Sequence, residues 1–157
     1  MTSNITNAKR KLLTKYDLAL KKSRRKSYDA EEVLSLLSTA SKEGDDRAQY
    51  ALATWYLYGK HVEINFAKAI RLLKMAVKKQ NKDAMFDLAV CYEKGKGAKK
   101  DLARAFELYV SAALWGDAQA HYEVGRMLFY AIGIPKNRKL ANIWLKRAEM
   151  LGAKKQA

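Results

Sequence analysis

The stretch from Asn81 to Gly116, NKDAMFDLAVCYEKGKGAKKDLARAFELYVSAALWG, decides the fold, because the 36 residues on either side of it are imperfect copies. Ala48, Ala84 and Ala120 are spaced at that interval. So are Leu52, Leu88 and Val124; Ala53, Ala89 and Gly125; Ala69, Ala105 and Ala141; Leu72, Leu108 and Trp144; and Ala76, Ala112 and Ala148. A period of this size marks a stacked repeat array, in which each unit is too small to bury its own apolar faces and buries them against its neighbours.

Full units run 45 to 80, 81 to 116 and 117 to 152, with 153 to 157 as a short tail. One step back places 9 to 44 in register, where Leu36 matches Leu72, Ala40 matches Ala76, and Gly44 matches Gln80 and Gly116. The first half of this earliest unit is degenerate. Its second half, Asp29 to Glu43, reads as a helix with Asp29 as N-cap and Glu32 three residues on, a capping-box-like start. A divergent end unit suits a solenoid, because it has a neighbour on one side only. Residues 1 to 157 therefore read as one all-α solenoid domain.

Within the quoted unit, helix A is expected from about Asp83 to Lys94, with Ala84, Leu88, Ala89, Cys91 and Tyr92 on one broad face. Gly95 and Gly97 punctuate. Asp101 is placed to cap helix B, which continues through Ala105, Leu108, Tyr109, Ala112 and Ala113 to Gly116, a residue suited to the left-handed conformation that ends a helix. Asn65 and Asn137 occupy the Asp101 column, so each copy keeps a good N-cap. Alanine or glycine at 53, 89 and 125, and alanine at 76, 112 and 148, predict close approach of helix backbones. Trp55, Tyr56, Tyr92 and Trp144 fill the larger gaps of one continuous core.

Composition narrows the function classes. The chain of 157 residues is 49% hydrophobic with a single Pro, which favours helices over short strands and tight turns. Cys91 is the only cysteine, so no intramolecular disulfide or cysteine-pair metal site can form, and a reducing, cytoplasmic setting is the simpler expectation. The first dozen residues carry charge where a signal peptide needs an apolar run, and no apolar stretch reaches the ~18 residues of a membrane span. Leu12, Leu13, Tyr16 and Leu20 predict one face of a packed helix in preference to an organelle-targeting peptide. Net charge is +15 and uneven: Lys9, Arg10, Lys11, Lys15, Lys21, Lys22, Arg24, Arg25 and Lys26 face only Asp17 in the first 28 residues. Such a pole attracts nucleic acid, anionic lipid or acidic protein without choosing among them.

Nothing in the pattern asks for catalysis, a cofactor or a metal. His61 and His121 fall in different columns of different units, and Cys91 shares its column with Trp55 and Met127, as a core thiol would. Gly95-Lys96-Gly97 lacks the spacing and the following Ser or Thr of a phosphate loop. No triad, nucleophile elbow or paired carboxylates are recognisable.

The run Ala48-Gln49-Tyr50-Ala51-Leu52-Ala53 with Tyr56 and Gly59, and its copies Ala84 to Gly97 and Ala120 to Gly133, resemble the Sel-one-like repeat family. Lys100-Asp101, Ala112-Ala113 and Gly116-Asp117 match its capped second helix and closing turn. The resemblance is strong over 45 to 152 and weak over 29 to 44. It implies a right-handed superhelix of antiparallel helix pairs, with the A helices lining a concave surface that binds other proteins. Departures are His61 and Ala131 in place of loop glycines and Gln80 in place of the closing glycine, which bear on loop conformation more than on fold. Secreted cysteine-rich members are linked to β-lactam binding, but they use paired cysteines that are missing here.

Two surfaces are candidate binding sites. On the open face of the A helices, Ala51, Thr54 and Tyr58, then Asp87, Val90 and Lys94, then Glu123, Arg126 and Tyr130 are spaced i, i+3 and i+7, so each trio shares a face. Tyr58, Tyr130 and Arg126 are of the types enriched at binding hot spots. Along the loops between helices A and B, Arg24, Arg25 and Lys26, then Lys60, then Lys96, Lys99 and Lys100, then Lys136, Arg138 and Lys139 predict a basic ridge without interleaved aromatic residues for base stacking. The expected role is a non-enzymatic adaptor that binds another protein, with an acidic surface, through the concave face. A toxin-neutralising immunity protein is an alternative, and a nucleic-acid or anionic-surface binder is less favoured.

Overall fold

A computed structural model describes residues 13–154; Lys9, Arg10, Lys11 and Leu12 of the cationic pole and tail residues 155–157 lie outside the described residues. Eight helices follow in order: α1 (Lys15–Ser23), α2 (Ala30–Lys42), α3 (Asp46–Tyr58), α4 (Phe66–Lys78), α5 (Lys82–Lys94), α6 (Leu102–Leu114), α7 (Ala118–Tyr130) and α8 (Arg138–Met150). Odd-numbered helices are the A helices of the repeat and even-numbered ones the B helices. Each helix packs on its chain neighbours, as stacked helix pairs require.

The helices start where polar caps satisfy their first amides. Asp45, Asn81 and Asp117 accept backbone hydrogen bonds at the starts of α3, α5 and α7. Asp29, Asn65, Asp101 and Asn137 do so for α2, α4, α6 and α8. Asp29 caps α2 as expected, but Glu32 turns away to pair with Lys22 at 2.7 Å. The reciprocal capping box belongs to α1 instead, between Thr14 and Asp17.

Every departure from loop glycine keeps the backbone that glycine would adopt. His61 (φ 58°), Gln80 (φ 63°) and Ala131 (φ 58°) hold left-handed conformations in the columns of Gly97, Gly116 and Gly95. Gly97 and Gly133 are needed for space as well. A Cβ on them would stand 2.6 Å from the Phe66 Cβ and 2.2 Å from the Leu102 Cβ, at the first residue of the preceding B helix. The same register sets His61 opposite the smaller Ala30. There its ring lies 5.3 Å from Trp55 and 5.6 Å from Tyr28, whose hydroxyl is 2.8 Å from Nε2.

The alanine columns lie at the centre of the packing. Ala48, Ala84 and Ala120, Ala69, Ala105 and Ala141, and Ala76, Ala112 and Ala148 are buried, with Trp55 and Tyr92 beside them. Three clusters of buried side chains are joined through Leu72, Val77, Phe86 and Trp144, so the core is continuous over the described residues. The first unit is held differently. In α1 it is Ala19 that is buried, while Leu13 and Leu20 are exposed, which corrects the leucine face expected of this helix. Arg47 ties α1 down instead, stacking 4.5 Å over the Tyr16 ring and reaching Asp17 at 3.3 Å and Asp45 at 2.8 Å, and Lys15 pairs with Glu43.

Candidate functional site

The A-helix face is graded, and its gradient separates candidate residues that are free from those already engaged. Tyr58 and Tyr130, in the last turns of α3 and α7, are 72% and 68% exposed, and Lys94 lies between them in the same column. One turn back, Thr54, Val90 and Arg126 are half-buried. The Thr54 hydroxyl donates to the Ala51 carbonyl at 2.7 Å, so it is used within its own helix.

Glu123 corrects the sequence reading. It is 5% exposed, beneath Arg126, whose Nε donates to its carboxylate at 2.7 Å. The other arm of Arg126 reaches back into the preceding unit and donates to Glu93 at 2.6 Å, and Glu93 also accepts from the Tyr109 hydroxyl at 2.9 Å. Burial opposes the Arg126 charge, but the hydrogen bonds and charges of Glu123 and Glu93 outweigh it and raise its pKa. Burial, reinforced by Glu93, likewise pushes the Tyr109 hydroxyl up. The guanidinium thus fastens unit 81–116 to unit 117–152. Sequence reasoning missed Glu93 and Tyr109. The available signal was a polar residue in an apolar column, since Glu93 is aligned with Leu57 and Phe129, and Tyr109 with Leu73 and Leu145.

Asp87 has no such partner. Burial pushes its carboxyl up to about 6, a hydrogen bond from Tyr50 pulls the other way, and the charges of Asp83 and Asp117 add to the rise. A small cleft of about 40 Å³ holds it beside Tyr58, Val90, Phe66 and Lys96. Buried Cys91 lines the same cleft, its thiol pushed up to about 11 by burial and by Asp87, so it is a poor nucleophile at neutral pH.

The loop cations are exposed, as expected of a ridge: Arg24, Arg25, Lys26, Lys60, Lys96, Lys99, Lys100 and Lys136. Arg138 and Lys139, assigned to the loop from sequence, form the first turn of α8. Aromatic rings do lie under several of these charges. Lys60 stands 6.0 Å from the Trp55 ring, Lys96 5.9 Å from Phe66 and Arg138 5.2 Å from Phe129. Because Trp55 is buried and Phe66 and Phe129 are half-buried, the rings anchor the cations and offer little face for a base to stack on.

The histidines are apart in structure as in sequence. His61 sits in the loop after α3, and buried His121 has Nδ1 2.7 Å from the Asp117 carbonyl and its ring 5.3 Å from Trp144. Among the described residues, no group of three His, Cys, Asp or Glu side chains is placed to hold a metal, and no helix is long and apolar enough to cross a membrane.

Capped helix pairs stacked at a 36-residue interval define an α-solenoid, a class that presents extended surfaces for binding. The Sel1 repeat model matches residues 46–81, 82–117 and 118–152, and the chain belongs to the Sel1 (Sel-one-like) repeat family. A Sel1 repeat protein from Oxalobacter formigenes aligns at 25% identity and a TM-score of 0.81, covering 88% of this chain and 57% of that one. The protective antigen c5321 of uropathogenic Escherichia coli, which displays the same fold, aligns at 21% identity and TM-score 0.84 over 88% of this chain and 30% of its own. Cysteine rich protein B of Helicobacter pylori aligns at 21% identity and TM-score 0.65 over 80% of this chain and 93% of its own. The chain thus spans little more than half of the first of these structures and under a third of the second. No curated protein sequence matches it.

Proposed function

We propose that the chain is a non-enzymatic protein-binding module that docks an acidic surface of another protein on its A-helix, concave face, with the basic loops assisting capture. One observation carries this reading: the exposed row Tyr58, Lys94 and Tyr130 runs directly into the loop cations. Lys94 is two residues from Lys96, and Lys96 shares a cleft with Tyr58. Two amphipathic rings flanking a cation offer large contact area at low entropic cost, and the neighbouring lysines add attraction for a negative partner. Asp87, Val90 and Thr54 form the floor below this row, and the clamp of Arg126 and Glu123 keeps it rigid, so little order is lost when a partner docks. Membership of the Sel1 repeat family supports the same role.

The test is retention of partners from nuclease-treated lysate at low and moderate salt, comparing the native chain with Tyr58→Ala/Tyr130→Ala and Lys94→Glu/Lys96→Glu. The expected outcome is a protein partner retained at both salt concentrations and weakened by about tenfold or more in each variant. Retention unchanged in both variants overturns the assignment of the face. Retained nucleic acid, with affinity falling steeply as salt rises, replaces the protein reading by a phosphate-binding one.

A further inference from the structure

On the B-helix side of the solenoid, α2 and α4 flank a groove over α3. The groove between α2 and α4, about 370 Å³, is lined by Ser38, Lys42, Lys68 and Arg71 over a floor that includes Leu72. Two units further along, the same register places Val110, Leu114, Leu140 and Ile143 over Trp144. Trp144 packs against the buried cluster of Met85, Ala112, Ala113 and Ala120, to which α5, α6 and α7 contribute, in keeping with that register. The charged lining residues Lys42, Lys68 and Arg71 have become apolar, while Met75 of the same lining is replaced by Arg147. Leu114, Leu140 and Ile143 are 76%, 40% and 64% exposed, and Trp115, next to Leu114 in the chain, is 53% exposed. Apolar side chains gathered this way on a charged protein mark a contact surface.

The surroundings of the groove choose among occupants. On the helices of the groove, Arg147 stands exposed in the column of Met75, with exposed Glu107 on α6, and the net charge of +15 favours an acidic partner. A second copy of a chain with net charge +15 is disfavoured by self-repulsion. Two neighbouring B helices present the ridges and furrow into which a third helix packs, with apolar side chains in the furrow and charges at its margins.

We propose that the groove between α6 and α8 docks an amphipathic α-helix of a partner protein, with large aliphatic side chains on one stripe and acidic residues flanking it. This surface is independent of the A-helix face, so either assignment stands if the other fails. The probe is a fluorescein-labelled helical peptide of about 18 residues, roughly five turns, with a leucine stripe at i, i+4 and i+7 and glutamate flanks. A twin with lysine flanks and vesicles of mixed phosphatidylserine and phosphatidylcholine serve as comparisons. Leu114→Lys/Ile143→Arg installs the side chains that the α2/α4 groove already carries at these positions, and thermal melting checks that the fold is kept.

The acidic peptide is expected to bind the native chain saturably and to bind Leu114→Lys/Ile143→Arg about tenfold or more weakly. Arg147→Glu is expected to weaken the acidic peptide and strengthen its lysine twin, and Tyr58→Ala to change neither. No binding of the acidic peptide, or equal binding by the groove variant, overturns the proposal. So does vesicle binding that the groove variant abolishes without any peptide binding, which assigns the surface to a membrane. A dimer that sediments in the native chain and dissolves in the groove variant overturns it in favour of self-association.

Discussion

The two junctions between full units solve one packing problem with opposite chemistry. Where unit 81–116 meets unit 117–152, Glu93, Tyr109, Glu123 and Arg126 join in one hydrogen-bonded clamp. One unit earlier, the aligned positions are Leu57, Leu73, Asp87 and Val90. There Leu73 is fully buried, Leu57 and Val90 pack against the core, and Asp87 is left with Tyr50 and a carboxyl pKa of about 6. The same backbone thus accepts either a paired polar set or an apolar set with one uncomfortable carboxylate. What decides is the residue three after the acid. Arginine at 126 neutralises Glu123 and the acid of the preceding unit together, whereas valine at 90 cannot, so Asp87 meets burial with no counter-charge and only the hydrogen bond from Tyr50.

The harshest way to break the contrast is Arg126→Ala. It leaves buried Glu123 unpaired and half-buried Glu93 with only the Tyr109 hydroxyl, and a loss of about 2 to 4 kcal/mol is expected in urea unfolding. Converting the whole clamp with Glu93→Leu/Tyr109→Leu/Glu123→Ala/Arg126→Val should recover most of that, ending within about 1 to 2 kcal/mol of the native chain, because an apolar set of similar shape replaces the pair and its desolvation penalty together. A quadruple variant no more stable than Arg126→Ala would show that the second junction cannot adopt the chemistry of the first.

Asp87→Asn sharpens the comparison from the other side. The folded carboxyl, at about 6, lies above its ordinary value of 3.8, so its contribution to stability is full below pH 3.8 and lost as pH rises through 6. Asparagine removes that loss and can still accept from Tyr50. A gain of about 1 to 2 kcal/mol is expected well above pH 6 and none below pH 3.8, measured as unfolding free energy across pH. The smallest effect belongs to the loop of the last unit. Ala131 holds φ 58° where the earlier units have Gly59 and Gly95, and Ala131→Gly should raise stability by about 1 kcal/mol, read as an upward shift in thermal midpoint.

Much of the architecture was legible because its signals are local. Caps act within one turn, so Asp101 and its asparagine counterparts located the B helices directly. The turns were legible too, and His61, Gln80 and Ala131 keep the left-handed backbone because the neighbouring helices fix the loops they close. The A-helix face was legible only as a stripe. Spacing put Glu123, Arg126 and Tyr130 together, yet Tyr130 is free, Arg126 is engaged and Glu123 is buried. The deciding partner, Glu93, is 33 residues from Arg126 and belongs to a different unit. The outer face of the B helices was legible in the same way, because replacement of Lys42 and Arg71 by Leu114 and Ile143 along the register is written in the sequence.

By itself the sequence determined the period, the helix pairs, their caps and the alanine columns that let them stack, since each depends on residues within a turn or on a repeat visible by alignment. Tertiary structure alone decided which side chains remain available for a partner. Burial and pairing depend on what the adjacent unit presents across the interface, and equivalent positions meet different neighbours along the stack. Asp87 and Glu123 share a column and a charge, and only the stacked neighbour makes one an isolated acid and the other half of a clamp.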